Sequence, residues 1–174
     1  KIINIAQELI ELIPYSVTIL KNSKYNEVNA AKNMNMNRIK AILHNNVMNK
    51  LLVQYPNLKD KQIVLDDFCG KDKYYEYLNK SKNIITNIHF ETKAENKYLS
   101  VACASIIARY YFLNELERMS FEAGIELPKG ASSTVDKVAS QIIKTKGTRY
   151  LSTIAKLNFK NFTKANKILD NTRR

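Results

Sequence analysis

Two short apolar runs, each leading to a carboxylate, constrain this chain more than any other feature. Ile63-Val64-Leu65 delivers Asp66 at its end, and the run from Ile84 to Phe90 leads to Glu95, just ahead of a long helical pattern. Short apolar runs bounded by turn signals read as buried strands. Two such strands would bring two carboxylates to neighbouring strand ends, where open α/β sheets bind their ligands. The stretch from Gln62 to Arg109 is therefore the centre of the chain, and the rest reads as scaffold or as the surface around it.

The flanking sequence is mostly helical in pattern. Ile2, Ile5, Ala6, Leu9, Ile10 and Ile13 recur at helical spacing, which predicts an amphipathic helix over residues 1–13 ended by Pro14. Tyr15 to Leu20 is aromatic and β-branched and reads as a strand, while Lys21 to Asn33 is polar and reads as a loop. Asn35 or Asn37 caps the next helix, which carries Ile39, Ile42, Leu43, Val47, Leu51 and Leu52 and stops before Pro56. A short helix around Tyr74 to Leu78 separates the two strands. The longest helix runs from about Asn96 to Ala123, with small residues in its first half and Gly124 as its stop. Leu127 to Gly130 is a loop. Thr134 caps a helix over Val135 to Lys144, Gly147 breaks it, and shorter helices follow near Tyr150 and over residues 160–169. A frayed end is expected at Thr172-Arg173-Arg174. Nothing marks a repeat or a linker, so one domain over 1–174 is expected.

Composition narrows the partners. The net charge of +12 suits a polyanion, although a solvated lysine surface gives the same number. The longest uncharged stretch, Leu99 to Ala108, is far short of a membrane span. Cys69 and Cys103 match no metal-binding spacing, which points to a reduced, cytoplasmic setting.

Carboxylates gathered at close range raise each other's pKa unless a cation relieves them. Mg²⁺ takes oxygen ligands and is commonly held by one or two carboxylates plus substrate phosphate. Asp66 and Glu95 suit such a role, though two carboxylates make half of a two-metal site. Spacing alone leaves Asp66 open as a strand-end turn residue and Glu95 as a helix first-turn residue. Asp66 and Asp67 are adjacent and point to opposite faces. Asp66 directly continues the apolar run and is preferred, with Asp67 facing solvent or capping the next segment.

Several segments resemble a known family. The run TKAENKYLSVACASIIAR from Thr92 to Arg109 is similar to the type 2 ribonuclease H family, in particular its ribonuclease HIII branch. Ala41-Ile42-Leu43-His44-Asn45, Leu65-Asp66-Asp67-Phe68, Leu127-Pro128-Lys129-Gly130-Ala131 and the segment from Ile154 to Asn161 match it as well, in the family's order. The resemblance implies an α/β fold, an RNase H-like mixed sheet flanked by helices. It implies endonucleolytic cleavage of the RNA strand of RNA/DNA hybrids with Mg²⁺ or Mn²⁺, leaving 3′-hydroxyl and 5′-phosphate ends. Of the branch's four metal-binding carboxylates, the third matches Asp66 and the fourth Glu95. The upstream Asp-Glu-Val-Gly strand that carries the first two has no match here, nor does the N-terminal substrate-binding domain. The expectation is an N-terminally incomplete catalytic domain, inactive by itself, able to associate with a separate N-terminal segment. A non-catalytic basic nucleic-acid-binding module is the alternative from another class. A superfamily member acting on branched DNA is a third.

Further candidates surround this pair. Lys93 lies two residues before Glu95, on the same side of an extended segment, where it can meet phosphate or simply solvent. Ser105 and Arg109 are four apart on the long helix and share a face. Asn26, Asn35 and Asn37 lie before or at a helix N-terminus, a position that favours phosphate. Lys129 in its loop and Lys156 are candidate backbone contacts. Asn158 stands where the resembled family usually has His, which keeps hydrogen bonding but not titration. His44 reads as structural, and His89 precedes the acidic segment. The tyrosines read as core, since hybrids are recognised by shape and 2′-hydroxyl contacts.

Overall fold

The computed structural model describes residues 2–172. Lys1, Arg173 and Arg174 lie outside the described residues; of the end expected to fray, Thr172 is helical and the two arginines are not described. The chain divides into two compact units, one of residues 2–18 and 33–112, the other of residues 19–32 and 113–172.

In the first unit, α1 (Ile2–Leu12) and α3 (Met36–Gln54) match the helical patterns. Asn35 is the α3 cap: its side-chain oxygen accepts the Arg38 N–H at 2.9 Å, relieving one of the unpaired donors of the first turn. Strand β1 (Ile63–Asp66) pairs in parallel with β2 (Ile88–Glu91), Ile63 opposite Ile88 and Asp66 opposite Glu91. Parallel strands need a crossover, and α4 (Lys71–Tyr77) supplies it. Strand alternation sends Ile63, Leu65, Ile88 and Phe90 into a core with Ala41, Tyr74 and Leu78. Tyr74, fully buried, meets Phe68, Tyr75 and Phe90 edge-on at 5.2 to 6.3 Å, so this tyrosine is core as expected. Burying Leu65 or Ile88 contributes about 1.5–3 kcal/mol each. Asn45 is also fully buried and ties α3 to the chain before β2, accepting the Ile85 N–H at 3.0 Å and donating to the Asn83 carbonyl.

The second unit is helical. It holds α2 (Asn22–Asn29), the second half of α5 (Leu99–Ala123), α6 (Ser133–Ile154) and α7 (Lys160–Thr172). Ala139, Ile142, Leu151 and Ala165 form its core, with Leu127, Tyr150 and Phe162 against them. Gly124 ends α5 as expected: at φ +67° it lets its own N–H reach the Phe121 carbonyl and the Ile125 N–H reach that of Ser120. Gly147, at φ 83° and ψ 164°, breaks the helical path inside α6 where the sequence places a break.

Local pattern fails in four places. Tyr15 to Leu20 forms no strand, because no ladder partner lies beside it among the described residues; the Val17 carbonyl is met by the Lys50 ammonium at 3.2 Å instead. Lys21 to Asn33 is largely the helix α2 rather than a loop, its buried Tyr25 supplying the apolar anchor that a polar composition hides. Strand β2 begins only at Ile88, since Ile85 is bonded to Asn45 rather than to a strand. Thr134 lies inside α6, whose cap position is Ser132.

Candidate metal centre

The end of β1 decides which of two adjacent aspartates faces a ligand. The Asp67 N–H extends the ladder to the Glu91 carbonyl at 3.0 Å. The Asp67 carboxylate then turns back on the chain, accepting the N–H groups of Cys69 at 3.1 Å and Gly70 at 2.7 Å. It fixes the turn that leads into α4, but the cap position is Gly70 and carries no side-chain bond, so Asp67 braces the loop rather than capping the helix. Asp66 is exposed and points the other way, with one oxygen accepting the Ala94 N–H at 3.0 Å. Ala94 is fully buried, and Glu95, the next residue, is exposed. Asp66 is thus bonded to the backbone of the residue that precedes Glu95.

The turn between β2 and α5 makes that link. Lys93 adopts a left-handed backbone, φ 53° and ψ 44°, which is uncommon outside glycine and asparagine. A short 3₁₀ turn, Ala94–Asn96, follows, and α5 starts only at Leu99. The Asn96 N–H bonds the Lys93 carbonyl, and those of Lys97 and Tyr98 bond that of Ala94. The Lys97 ammonium reaches back to the Glu91 carboxylate at 2.7 Å, with the His89 imidazole 3.7 Å from the other oxygen. The hydrogen bond from Lys97 holds the Glu91 carboxyl below its usual range. Glu91, which the sequence reading did not single out, stands opposite Asp66 in the ladder. No local sequence signal marks it, since its place follows from strand register.

His44 stacks on Phe68, ring centroids 5.5 Å apart, which agrees with a structural role. Burial pushes its pKa down, Lys40 adds to the shift, and the charge of Asp66 opposes it. The Lys40 ammonium lies 5.2 Å from the same Phe68 ring.

The remaining candidates are dispersed. Ser105 is exposed on α5 and donates to the Ala102 carbonyl at 2.8 Å, while the Arg109 guanidinium lies 5.0 Å from the Phe112 ring. Asn37 is half-buried in the first turn of α3. In the second unit, both amide hydrogens of Asn26 are committed, to the carbonyls of Ser152 and Ala155 at 2.9 Å, and its oxygen accepts the Leu157 N–H. Asn158 accepts the Tyr25 hydroxyl at 3.2 Å, and Lys156 lies over the Tyr25 ring at 4.6 Å. Lys129 is exposed in its loop.

Asp66 and Glu95 supply hard oxygen donors, the kind Mg²⁺ and Mn²⁺ take. Among the described residues no group of three or more His, Cys, Asp or Glu is placed to hold a metal ion. The donors fit the group in kind, and two carboxylates are fewer than a full coordination set needs.

A parallel strand pair with carboxylates at its carboxyl end and helices about it defines an α/β chain, and comparison with known proteins gives its family. The model of the family "Ribonuclease HII" matches residues 1–162. The chain is 42% identical over 173 residues to the Ribonuclease HIII of Bacillus velezensis and 43% identical over 170 residues to that of Listeria monocytogenes, covering 99% and 97% of this chain and 55% of each relative. A crystal structure of Bst-RNase HIII in complex with Mn²⁺ superposes with a TM-score of 0.94 at 41% identity, covering 99% of this chain and 56% of that one. The chain belongs to the ribonuclease HII family, and it spans about half the length of the ribonuclease HIII relatives it matches.

Proposed function

We propose that this chain supplies the carboxyl-terminal catalytic part of a metal-dependent ribonuclease H that cleaves the RNA strand of RNA/DNA hybrids to 3′-hydroxyl and 5′-phosphate ends. The observation that carries the reading is the Ala94 N–H bound to Asp66, which ties Asp66 to the backbone of the residue before Glu95. The named relatives and the Mn²⁺ complex of Bst-RNase HIII support it.

Asp66 and Glu95 would hold Mg²⁺ or Mn²⁺ through their oxygens. When bound, the metal supplies an activated water at neutral pH and charge stabilisation for the departing 3′-oxygen. Lys93, exposed beside the pair, would bind a substrate phosphate. Arg109, Asn37, Lys129 and Lys156 would add backbone contacts, and the net charge of +12 makes hybrid binding fall steeply with salt. Asn26 keeps a place among the candidates only if its amide leaves its partners in the second unit.

Two carboxylates leave the site short of ligands, so the chain by itself is expected to be inactive. An association with a polypeptide equivalent to the rest of the relatives' length would complete it. The exposed apolar residues of α1, Ile2, Ile5 and Leu12, support such an association. The ligand shortage also favours the second reading, a binding module without chemistry.

The test is cleavage of a labelled RNA/DNA hybrid with Mg²⁺ or Mn²⁺, by this chain alone and by this chain joined to the upstream half of a ribonuclease HIII relative. Cleavage by the joined protein alone, lost in Glu95→Gln, is expected. Cleavage by the isolated chain would overturn the inactivity claim. Salt-sensitive binding without cleavage in either form would favour the binding module.

A further inference from the structure

We propose that Glu91 and Lys97 are positioning residues for the carboxylate pair: their ion pair ties the two ends of the 91–97 turn together and thereby holds the Ala94 N–H on Asp66. The proposal rests on the metal reading of Asp66 and Glu95 for its consequence, not for its geometry.

The turn has three features that belong together. It reverses at Lys93, whose left-handed backbone costs a side-chain-bearing residue free energy and persists only where neighbouring contacts hold it. It delivers the Ala94 N–H to Asp66, 28 positions earlier in the chain. Its first and last residues, Glu91 and Lys97, meet at 2.7 Å. Glu91 is the last residue of β2 and is fixed by the ladder, opposite Asp66. Lys97 precedes α5 by two residues. The ion pair therefore links a strand to the start of a helix across the segment that carries Lys93, Ala94 and Glu95. Without it, the reversal at Lys93 rests on the backbone bonds of one short turn, the buried Ala94 and the single bond from Ala94 to Asp66. Both side chains are partly exposed, at 26% for Glu91 and 56% for Lys97, so the contribution is modest and local. Local is sufficient here, because the quantity controlled is the placement of one N–H and of the carboxylate next to it.

The same geometry assigns Lys93 a backbone role beside any contact of its ammonium. Glycine takes a left-handed conformation freely, whereas a β-branched residue does so at high cost. A phosphate contact depends on the side chain alone. The two roles separate on substitution.

The experiment is amide hydrogen exchange at Ala94 in the full chain, followed by NMR, together with Mn²⁺ titration of the same samples. Lys97→Met should speed Ala94 exchange by about two- to fivefold, and Lys97→Arg should restore the original rate. Lys93→Val should speed it by about tenfold, while Lys93→Gly leaves it unchanged. Mn²⁺ affinity should fall with the faster-exchanging variants and return with Lys97→Arg. Unchanged exchange in Lys97→Met, failure of the Arg rescue, or equal effects of Gly and Val at Lys93 would each overturn the proposal. If exchange responds as expected but the unaltered chain binds no Mn²⁺, the turn is held as described and the metal reading of Asp66 is what fails.

Discussion

The strand-end turn of the first unit and the α6–α7 pair of the second each hold an acidic side chain, and they treat it in opposite ways. In the first unit Asp66 stands exposed, with one oxygen on the Ala94 N–H. In the second, Asp136 is only 5% exposed and its two oxygens face Asn161 and Lys164. Asn161 also donates to the Ala131 carbonyl, so Asp136 helps fix the loop ahead of α6 to α7. A carboxylate whose oxygens are already engaged by the protein has little left for a cation. One held by a single backbone donor keeps coordination capacity. The same contrast separates Asp67, folded onto the Cys69 and Gly70 N–H groups, from its neighbour Asp66.

Substitutions can break this contrast, and the largest effect belongs to the open carboxylate. In the joined, active protein, Asp66→Asn should lower hybrid cleavage by more than about 100-fold, beyond what is usual for a residue outside the ligand set. It should shift the stability of the chain by less than about 0.5 kcal/mol in a denaturant titration. Asp136→Ala should do the reverse, costing about 1.5–3 kcal/mol because it removes the charge-assisted hydrogen bond from Asn161, which keeps its Ala131 partner, with cleavage retained where the protein is folded. If Asp136→Ala abolished cleavage without destabilising the chain, the contrast would be wrong.

Asn26→Ala sharpens the same point. Loss of its three hydrogen bonds should cost about 2 kcal/mol of stability. A fall in hybrid affinity with stability intact would instead make Asn26 a substrate contact. The smallest effect concerns pH. Burial holds the His44 imidazole below its ordinary value of 6.5, so the unfolded chain binds more protons in the window between the folded and unfolded values. Stability should therefore fall as pH drops below about 6.5, and His44→Phe should flatten that slope in thermal melts at a series of pH values.

Much of the fold was legible where local chemistry decides it. The Asn35 cap, the Gly124 stop and the Gly147 break need only neighbouring residues, and all three stand where the pattern puts them. Asp66 was legible for the same reason, as the residue that ends an apolar run. Tyr15 to Leu20 and α2 were not, because a strand depends on a partner elsewhere in the chain. A polar helix likewise depends on anchors such as Tyr25 and Asn26, whose contacts lie more than a hundred residues away. Glu91 escaped notice because its importance comes from register, which a single strand does not disclose.

The central claim is that the chain's metal-facing carboxylates are Asp66 and Glu95. Paramagnetic broadening of the NMR spectrum by substoichiometric Mn²⁺ tests it most directly. The account predicts that the amide signals of Asp66, Ala94 and Glu95 broaden first, and that Asp66→Asn removes the effect while Asp136→Asn leaves it. Broadening centred on Asp136, or an unchanged pattern in Asp66→Asn, would contradict it.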